Sequence, residues 1–272
     1  MTASTYQTLG RKKILVAEDV ELNQHLARHM MESWGFEVDI AVNGKEALLL
    51  VQQKQYDLVL MDIHMPEMDG MEATRQIRLL ADTGKAAIPI VALTANALKG
   101  DRERFLAVGM NDYLSKPFTE PNLFQIIADN LSNVTPIHAA PALETPAPTV
   151  ETNTTTSRLY DLAMVRNIAG GDEAFVKRML QLFLDTVPPS LQEMQLETVK
   201  ENWEQVGKLA HKMKSTIDSM NIASLKDIIR QIELHGKKST EVETLPEKVN
   251  EVERVMKQCV EEVKKEFFSS TK

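Results

Sequence analysis

The sequence predicts an α/β domain built on a doubly wound five-stranded parallel sheet, followed by an all-α helical bundle. Two observations carry that expectation. The first half alternates short apolar runs with segments of helical periodicity, and parallel strands need a crossover between each pair. The second half has long helical periods and no strand pattern. Between them, residues 132–157 change character, with Pro136, Pro141, Pro146, Pro148 and the run Thr152 to Thr156 but few apolar anchors. Such a composition makes a flexible, partly extended tether. The expected organisation is therefore an α/β domain over 12–131, a linker over 132–157 and a helical bundle over 158–272.

Lys13 to Ala17 is an apolar run suited to a strand buried on both faces, and it runs directly into Glu18 and Asp19. Leu22, Leu26, Met30 and Trp34 then recur at helical spacing, and Gly35 closes that helix. Phe36 to Ala41 alternates like an exposed edge strand, and Asn43-Gly44 turns the chain into a helix through Ala47, Leu48 and Val51. The next apolar run, from Tyr56, ends abruptly in Asp62, followed by a turn with Pro66 and Gly70. A helix from about Met71 to Leu80 leads to the strand Ile88 to Leu93, which reaches Thr94. Met110 to Leu114 leads to Ser115-Lys116-Pro117, and a last helix runs from about Glu120 to Leu131. Beyond the tether come four apolar helical stripes, starting at Phe175, Val206, Leu225 and Val249.

In open parallel sheets the site lies beyond the carboxyl ends of the strands. Here those ends bring Glu18, Asp19, Asp62, Thr94 and Lys116 to one edge. Three carboxylates together need a cation, and an all-oxygen set suits Mg²⁺, with Mn²⁺ a second fit, rather than zinc. A hydroxyl and an ammonium complete a cradle for a phosphoryl group, which makes Asp62 the nucleophile expected to form an aspartyl-phosphate.

With those residues in order, Lys12 to Leu131 closely resembles the response-regulator receiver domain of two-component signalling, a flavodoxin-like fold. The resemblance rests on Glu18-Asp19, the stretch Asp62 to Gly70, Thr94-Ala95 and Lys116-Pro117-Phe118. It implies that Asp62 is the phosphoacceptor and that Asp19 and Asp62 bind Mg²⁺ directly. It further implies Glu18 as a ligand through water and the backbone carbonyl of His64 as another. Thr94 and Lys116 would contact the phosphoryl group, Tyr113 matches the aromatic switch residue that moves with Thr94, and Lys116-Pro117 would be cis. The side chain of His64 carries no implied ligand role.

In the helical half, His211 lies off the apolar stripe of Val206, Leu209, Met213, Ile217 and Met220, beside Lys214 and Ser215. It is expected to face water, where an imidazole can attack a phosphoryl group held by a docked partner. The segment His211 to Thr216 resembles the histidine-phosphotransfer motif His-x-Leu-Lys-Gly-Ser, over a resemblance extending from about Asp161 to Lys265. Ser215 replaces the glycine, and Asn221 stands where a later glycine is usual.

Competing explanations are blander. Asp62 could cap the following turn, His211 could be a solvated surface histidine, and His25 with His29 is most simply a solvated helix face. Cys259, the sole cysteine, is expected to be a buried thiol, and its solitude fits a reducing, cytoplasmic setting. The formal net charge of -8 and the lack of a basic stripe argue against nucleic acid as partner. No apolar run is long enough to span a bilayer.

The sequence thus points to a phosphorelay protein whose partners are a histidine kinase and other receiver or histidine-phosphotransfer proteins. It would be a phosphotransfer signalling protein rather than a turnover enzyme. The alternative keeps the receiver as a switch and makes the bundle a non-phosphorylated docking domain. A metal-dependent phosphatase of the haloacid-dehalogenase type is disfavoured, since it wants an Asp where His64 stands. No catalytic ATP-binding motif or DNA-reading helix-turn-helix is recognisable, so output passes through a partner or the chain is the detached end of a hybrid sensor kinase.

Overall fold

The computed structural model describes residues 9–94, 101–132 and 158–269. Residues 133–157 of the expected tether, with its prolines and threonines, lie outside the described residues, as does Ala95 of the Thr94-Ala95 pair.

The first half is a parallel sheet in the order β2-β1-β3-β4-β5. Its strands are β1 (Lys13–Ala17), β2 (Glu37–Ala41), β3 (Leu58–Asp62), β4 (Ile90–Thr94) and β5 (Asp112–Ser115). The central strands β3 and β4 are buried at every residue, whereas the edge strand β2 is buried only at Ala41. Strand side chains alternate between faces. Leu15, Ala17, Val59 and Met61 accordingly enter one core, while Ile14, Val16, Leu58 and Leu60 enter the other.

The first of these cores is closed by α2 (Gly44–Gln53) and α3 (Gly70–Arg78), through Ala47, Val51, Ala73 and Ile77. The second is closed by α1 (Glu21–Ser33) and α6 (Glu120–Leu131), through Ala27, Met30, Met31, Leu123 and Ile127. Two short helices escape the sequence pattern, α4 (Thr83–Ala86) and α5 (Asp101–Ala107). The first buries nothing and the second buries only Phe105, so neither leaves an apolar stripe to read.

The second half has no strand among its described residues, and its α-helices are α7 (Ala163–Ala169), α8 (Glu173–Val199), α9 (Trp203–Ser219), α10 (Lys226–Lys238) and α11 (Leu245–Val263). Pro188 and Pro189 lie inside α8 rather than at its end. The buried Val187 and Leu191 on either side of them hold the helix to the bundle core through the interruption. Cys259 is fully buried there, and burial pushes its thiol up to about 12.

The halves are packed against each other. Leu22 and Leu26 of α1 belong to the bundle's core cluster, not to the sheet's. His29 of α1, expected on a solvated face, instead stacks on Phe175 of α8 with ring centroids 3.8 Å apart and planes 19° from parallel. An α1 stripe read as one apolar face is thus shared between two cores.

Candidate functional site: two phosphoacceptor candidates across one interface

β1 and β3 are neighbours in the sheet, so their carboxyl ends deliver Glu18, Asp19 and Asp62 side by side. One carboxylate oxygen from each lies within 4.8 Å of the others. β5 ends at Ser115, and Lys116 follows it with a backbone N–H donated to the Thr94 carbonyl at 2.7 Å. The cis Lys116-Pro117 bond that was expected is present. The Lys116 ammonium donates to Asp62 Oδ2 at 2.6 Å and to Glu18 Oε2 at 2.5 Å.

Burial acts against the charged forms of Glu18, Asp19 and Lys116 in this pocket. It pushes the Glu18 carboxyl up to about 7, against the pull of the Lys116 charge. Burial alone would lower the Lys116 ammonium, but the charges of Asp62 and Glu18 outweigh it and drive the pKa upward. Asp19 is raised by burial, although Lys212 from the bundle acts to lower it. Asp19 Oδ1 is buried without a hydrogen-bond partner. An orphaned carboxylate oxygen within an all-oxygen cluster is a donor set that fits Mg²⁺.

Gly70 closes the pocket from below. A Cβ there would sit 2.0 Å from the Asp62 carbonyl oxygen, so the turn after β3 can fold back only around a glycine. Its N–H donates to the Ile63 carbonyl at 3.1 Å, and Asp69 caps α3 by accepting from Glu72 N. Thr94 is buried at the end of β4. Tyr113 pairs with Ala92 in the sheet and is partly buried against Phe105, with centroids 6.2 Å apart.

The second site is made by a close helix crossing. A Cβ on Gly207 of α9 would meet Lys237 N at 2.7 Å, and one on Gly236 of α10 would meet Gly207 Cα at 2.8 Å. Two facing glycines let the helix backbones touch. One turn from this contact on each helix stand His211 and Glu233, with His211 Nδ1 2.5 Å from Glu233 Oε1. Lys214 donates to the other oxygen, Oε2, and Lys237 donates to Oε1 at 2.9 Å. Burial alone would raise the Glu233 carboxyl, but the hydrogen bond and charge of His211 and then Lys214 hold it far below the usual range. An ionised carboxylate only accepts, so Nδ1 of His211 is the donor in this pair and Nε2 is the ring nitrogen that Glu233 leaves unengaged.

Glu233 lies outside the motifs that single out His211 in the sequence. Its signal is present, an acid on the stripe of Ile229, Ile232 and Gly236, where a buried carboxylate requires cationic partners. Lys214, expected beside His211 on the surface, is turned inward with a side chain 10% exposed. Ser215 lines a small cavity between the halves with Lys116, Pro117 and Met164.

His211 does not face open water, contrary to expectation. Its side chain is 13% exposed, with Glu233 of α10 against one ring nitrogen. The ring stands edge-on to that of His64, with centroids 4.9 Å apart. His64 also donates its backbone N–H to Asp62 Oδ1 at 3.1 Å, so one residue touches both acceptor candidates. His64 stays exposed over much of its surface, and partial desolvation, then the neighbouring His211 and Lys237, lower its imidazole to about 4. Beside it, Lys212 Nζ lies 3.3 Å from Asp19 Oδ2.

Residues 14–128 match the response regulator receiver domain family and residues 178–266 match the Hpt domain family. The aerobic respiration control sensor protein ArcB of Escherichia coli is 30% identical over 230 residues, covering 81% of this chain and 27% of that protein. Hybrid signal transduction histidine kinase I of Dictyostelium discoideum is 42% identical over 121 residues, 43% of this chain and 7% of that one. The receiver domain of a Pseudomonas aeruginosa sensor histidine kinase, a crystal structure with magnesium in its active-site cleft, is 41% identical. That match covers 45% of this chain and 99% of the other, with a TM-score of 0.42. The chain spans between 7% and 27% of the length of these two curated relatives. Among the described residues no helix is long and apolar enough to cross a membrane.

Proposed function

Because the chain joins a response regulator receiver domain to an Hpt domain, and is thereby a two-component phosphorelay signalling protein, we propose that Asp62 and His211 are its two phosphoacceptors and exchange a phosphoryl group directly. One observation carries this. The His211 ring and Asp62 are both in contact with His64, His211 through the ring and Asp62 through the backbone.

On this reading Asp62 first attacks the phosphorus of a kinase phosphohistidine, so that a P–N bond breaks and a P–O bond forms. Nε2 of His211 then attacks the same phosphorus. The acyl P–O bond breaks, an N–P bond forms and the Asp62 carboxylate is regenerated, with no net proton transfer. The ring becomes cationic in that step, and Glu233 faces it from Nδ1. Glu233 is therefore a positioning residue that fixes the tautomer and stabilises the developing charge. Lys116 holds Asp62 and neutralises charge around it. Glu18, Asp19 and Asp62, with the His64 carbonyl, would hold Mg²⁺, which when bound shields the carboxylate charges from the incoming phosphoryl oxygens. Thr94 and Tyr113 are assigned to the switch that reports phosphorylation.

The proposed partners are a histidine kinase upstream and further receiver or Hpt proteins. A reducing, cytoplasmic setting, supported by the lone buried thiol Cys259, belongs to the same reading.

The test is transfer of radiolabelled phosphate from a purified histidine kinase, with Mg²⁺, to wild type and to Asp62→Asn and His211→Gln. Base-labile label is expected to need Asp62 and acid-labile label to need His211, with the latter also lost in Asp62→Asn if transfer is internal. Label on Asp62 that never reaches His211, even from other phosphorylated receivers, would make the bundle a docking module.

A further inference from the structure

Three carboxylates converge at the receiver site, and among the described residues of the receiver half the ammonium placed directly on them is that of Lys116. Lys116 contacts Glu18 and Asp62. The third acid, Asp19, takes its ion pair from the other half of the chain, Lys212 of α9. The pair is asymmetric, since the Asp19 side chain is 4% exposed and that of Lys212 is 49% exposed. A long side chain anchored in water thus places its charged tip on a buried acid. Lys212 directly follows His211, so the residue that pairs with the acid is fixed to the same helical turn as the phosphoacceptor candidate.

A divalent ion held by Glu18, Asp19 and Asp62 would bring two positive charges to the carboxylate that Lys212 occupies. Two cations on one acid repel each other unless more negative charge arrives. A phosphoryl group at either acceptor supplies that charge, about −2 at neutral pH.

We propose that Lys212 is an internal counter-cation for the receiver's acidic pocket, which competes with the divalent ion for Asp19. Seating of the bundle on the receiver and binding of Mg²⁺ then oppose each other in the unphosphorylated chain. Once a phosphoryl group bridges the interface, both cations have partners and the two events cease to conflict. The chain would hold itself closed and metal-poor at rest, and a metal-loaded closed state would be reserved for transfer. This rests on the assignment of Glu18, Asp19 and Asp62 as the cation site.

The experiment is calorimetric titration of the intact, unphosphorylated chain with MgCl₂. Four proteins are compared: wild type, Lys212→Gln, Lys212→Arg and Lys208→Gln. The last removes the same formal charge one turn away, from a lysine paired within its own helix to Glu204 at 2.6 Å. Lys212→Gln is expected to bind Mg²⁺ about three- to tenfold more tightly than wild type, the size expected from removing one half-exposed cation near a divalent ion. Lys212→Arg and Lys208→Gln should stay within about twofold of wild type, and the Lys212→Gln difference should shrink in 0.5 M salt, where surface charges are screened. Equal affinity in wild type and Lys212→Gln would overturn the competition while leaving the cation site intact. An equal gain in Lys208→Gln would reduce the effect to net charge and overturn it likewise. Failure of every protein to bind Mg²⁺ would remove the cation-site assignment itself.

Discussion

Asp62 and His211 both touch His64 at one interface, and each is set by lysine and carboxylate partners, with the parts inverted. In the receiver the proposed acceptor is a carboxylate, and Lys116 is shared between it and a second buried acid, Glu18. In the bundle the proposed acceptor is an imidazole, and a single acid, Glu233, is shared between it and the two lysines Lys214 and Lys237. The receiver site therefore has a surplus of buried negative charge, and the bundle site has a surplus of positive charge. That difference follows from the chemistry of each acceptor. A carboxylate must have its charge reduced before a phosphoryl dianion can approach, whereas an imidazole needs an anion to receive the charge it gains on phosphorylation.

Removing the shared cation of the receiver breaks the comparison most severely. Lys116→Ala leaves Glu18 and Asp62 buried without their ammonium, and a broken buried pair costs about 3–5 kcal/mol. The low end is expected, because Glu18, already pushed up to about 7, can take up a proton. Urea denaturation at neutral pH should show a loss of about 3 kcal/mol without divalent ions, largely recovered on adding MgCl₂. A loss unaffected by Mg²⁺ would mean that the acids do not form a common cation site.

The bundle site is sharpened by removing its shared acid. Glu233→Gln keeps the shape but takes the anion from between His211, Lys214 and Lys237. The wild-type carboxyl is held well below its ordinary value of 4.5. A depressed folded-state pKa stabilises the fold above the unfolded value and loses that contribution as pH falls. Wild type should therefore exceed Glu233→Gln by about 1–3 kcal/mol at pH 7, the scale of a hydrogen bond to a charged group. The two should converge as pH drops from 4.5 towards 2. A constant offset down to pH 3 would place the stabilisation in packing rather than in the charge of Glu233. Acid-labile phosphate on His211 should form more slowly in the variant, since its ring loses the anion that supports the cationic product.

Much of this was legible in the sequence, and what was not has a common cause. β1, β3 and β4 could be read because strands buried on both faces are continuous apolar runs, each leading into a polar group. The cluster of Glu18, Asp19, Asp62 and Lys116 follows from strand ends alone. α5 was missed because it buries a single residue, and Pro188-Pro189 gave no sign of lying within one continuous helix. The larger omission is contact between elements remote in sequence. Nothing periodic distinguishes Leu22 and Leu26, which serve the bundle, from Met30, which serves the sheet. The same blindness made His29 a solvated residue and His211 an open one. A helix stripe reports that a face is covered, not by what.

Asn221 is the position where a departure from a motif can be explained locally, and it carries the smallest expected effect. It stands at φ 47°, in the left-handed region that favours glycine. Its N–H donates to Asp218 O at 3.1 Å, and that of Ile222 donates to Ile217 O at 3.0 Å. These two bonds close α9 in the pattern of a Schellman cap, whose left-handed residue is usually glycine and sometimes asparagine. Ile217 and Ile222 are both fully buried, as the hydrophobic contact of such a cap requires. The Asn221 side chain adds an acceptor for Lys226 at 2.6 Å, on the first residue of α10. Asparagine therefore keeps the turn that launches the helix carrying Glu233. Asn221→Gly should change stability by less than about 0.5 kcal/mol, since glycine relieves strain but loses the lysine contact. Asn221→Ala keeps a Cβ without the amide and should cost about 1 kcal/mol, with slower labelling of His211 if the start of α10 shifts. Thermal melts of the three proteins decide it: an alanine variant as stable as the glycine one would mean that the left-handed turn imposes no requirement here.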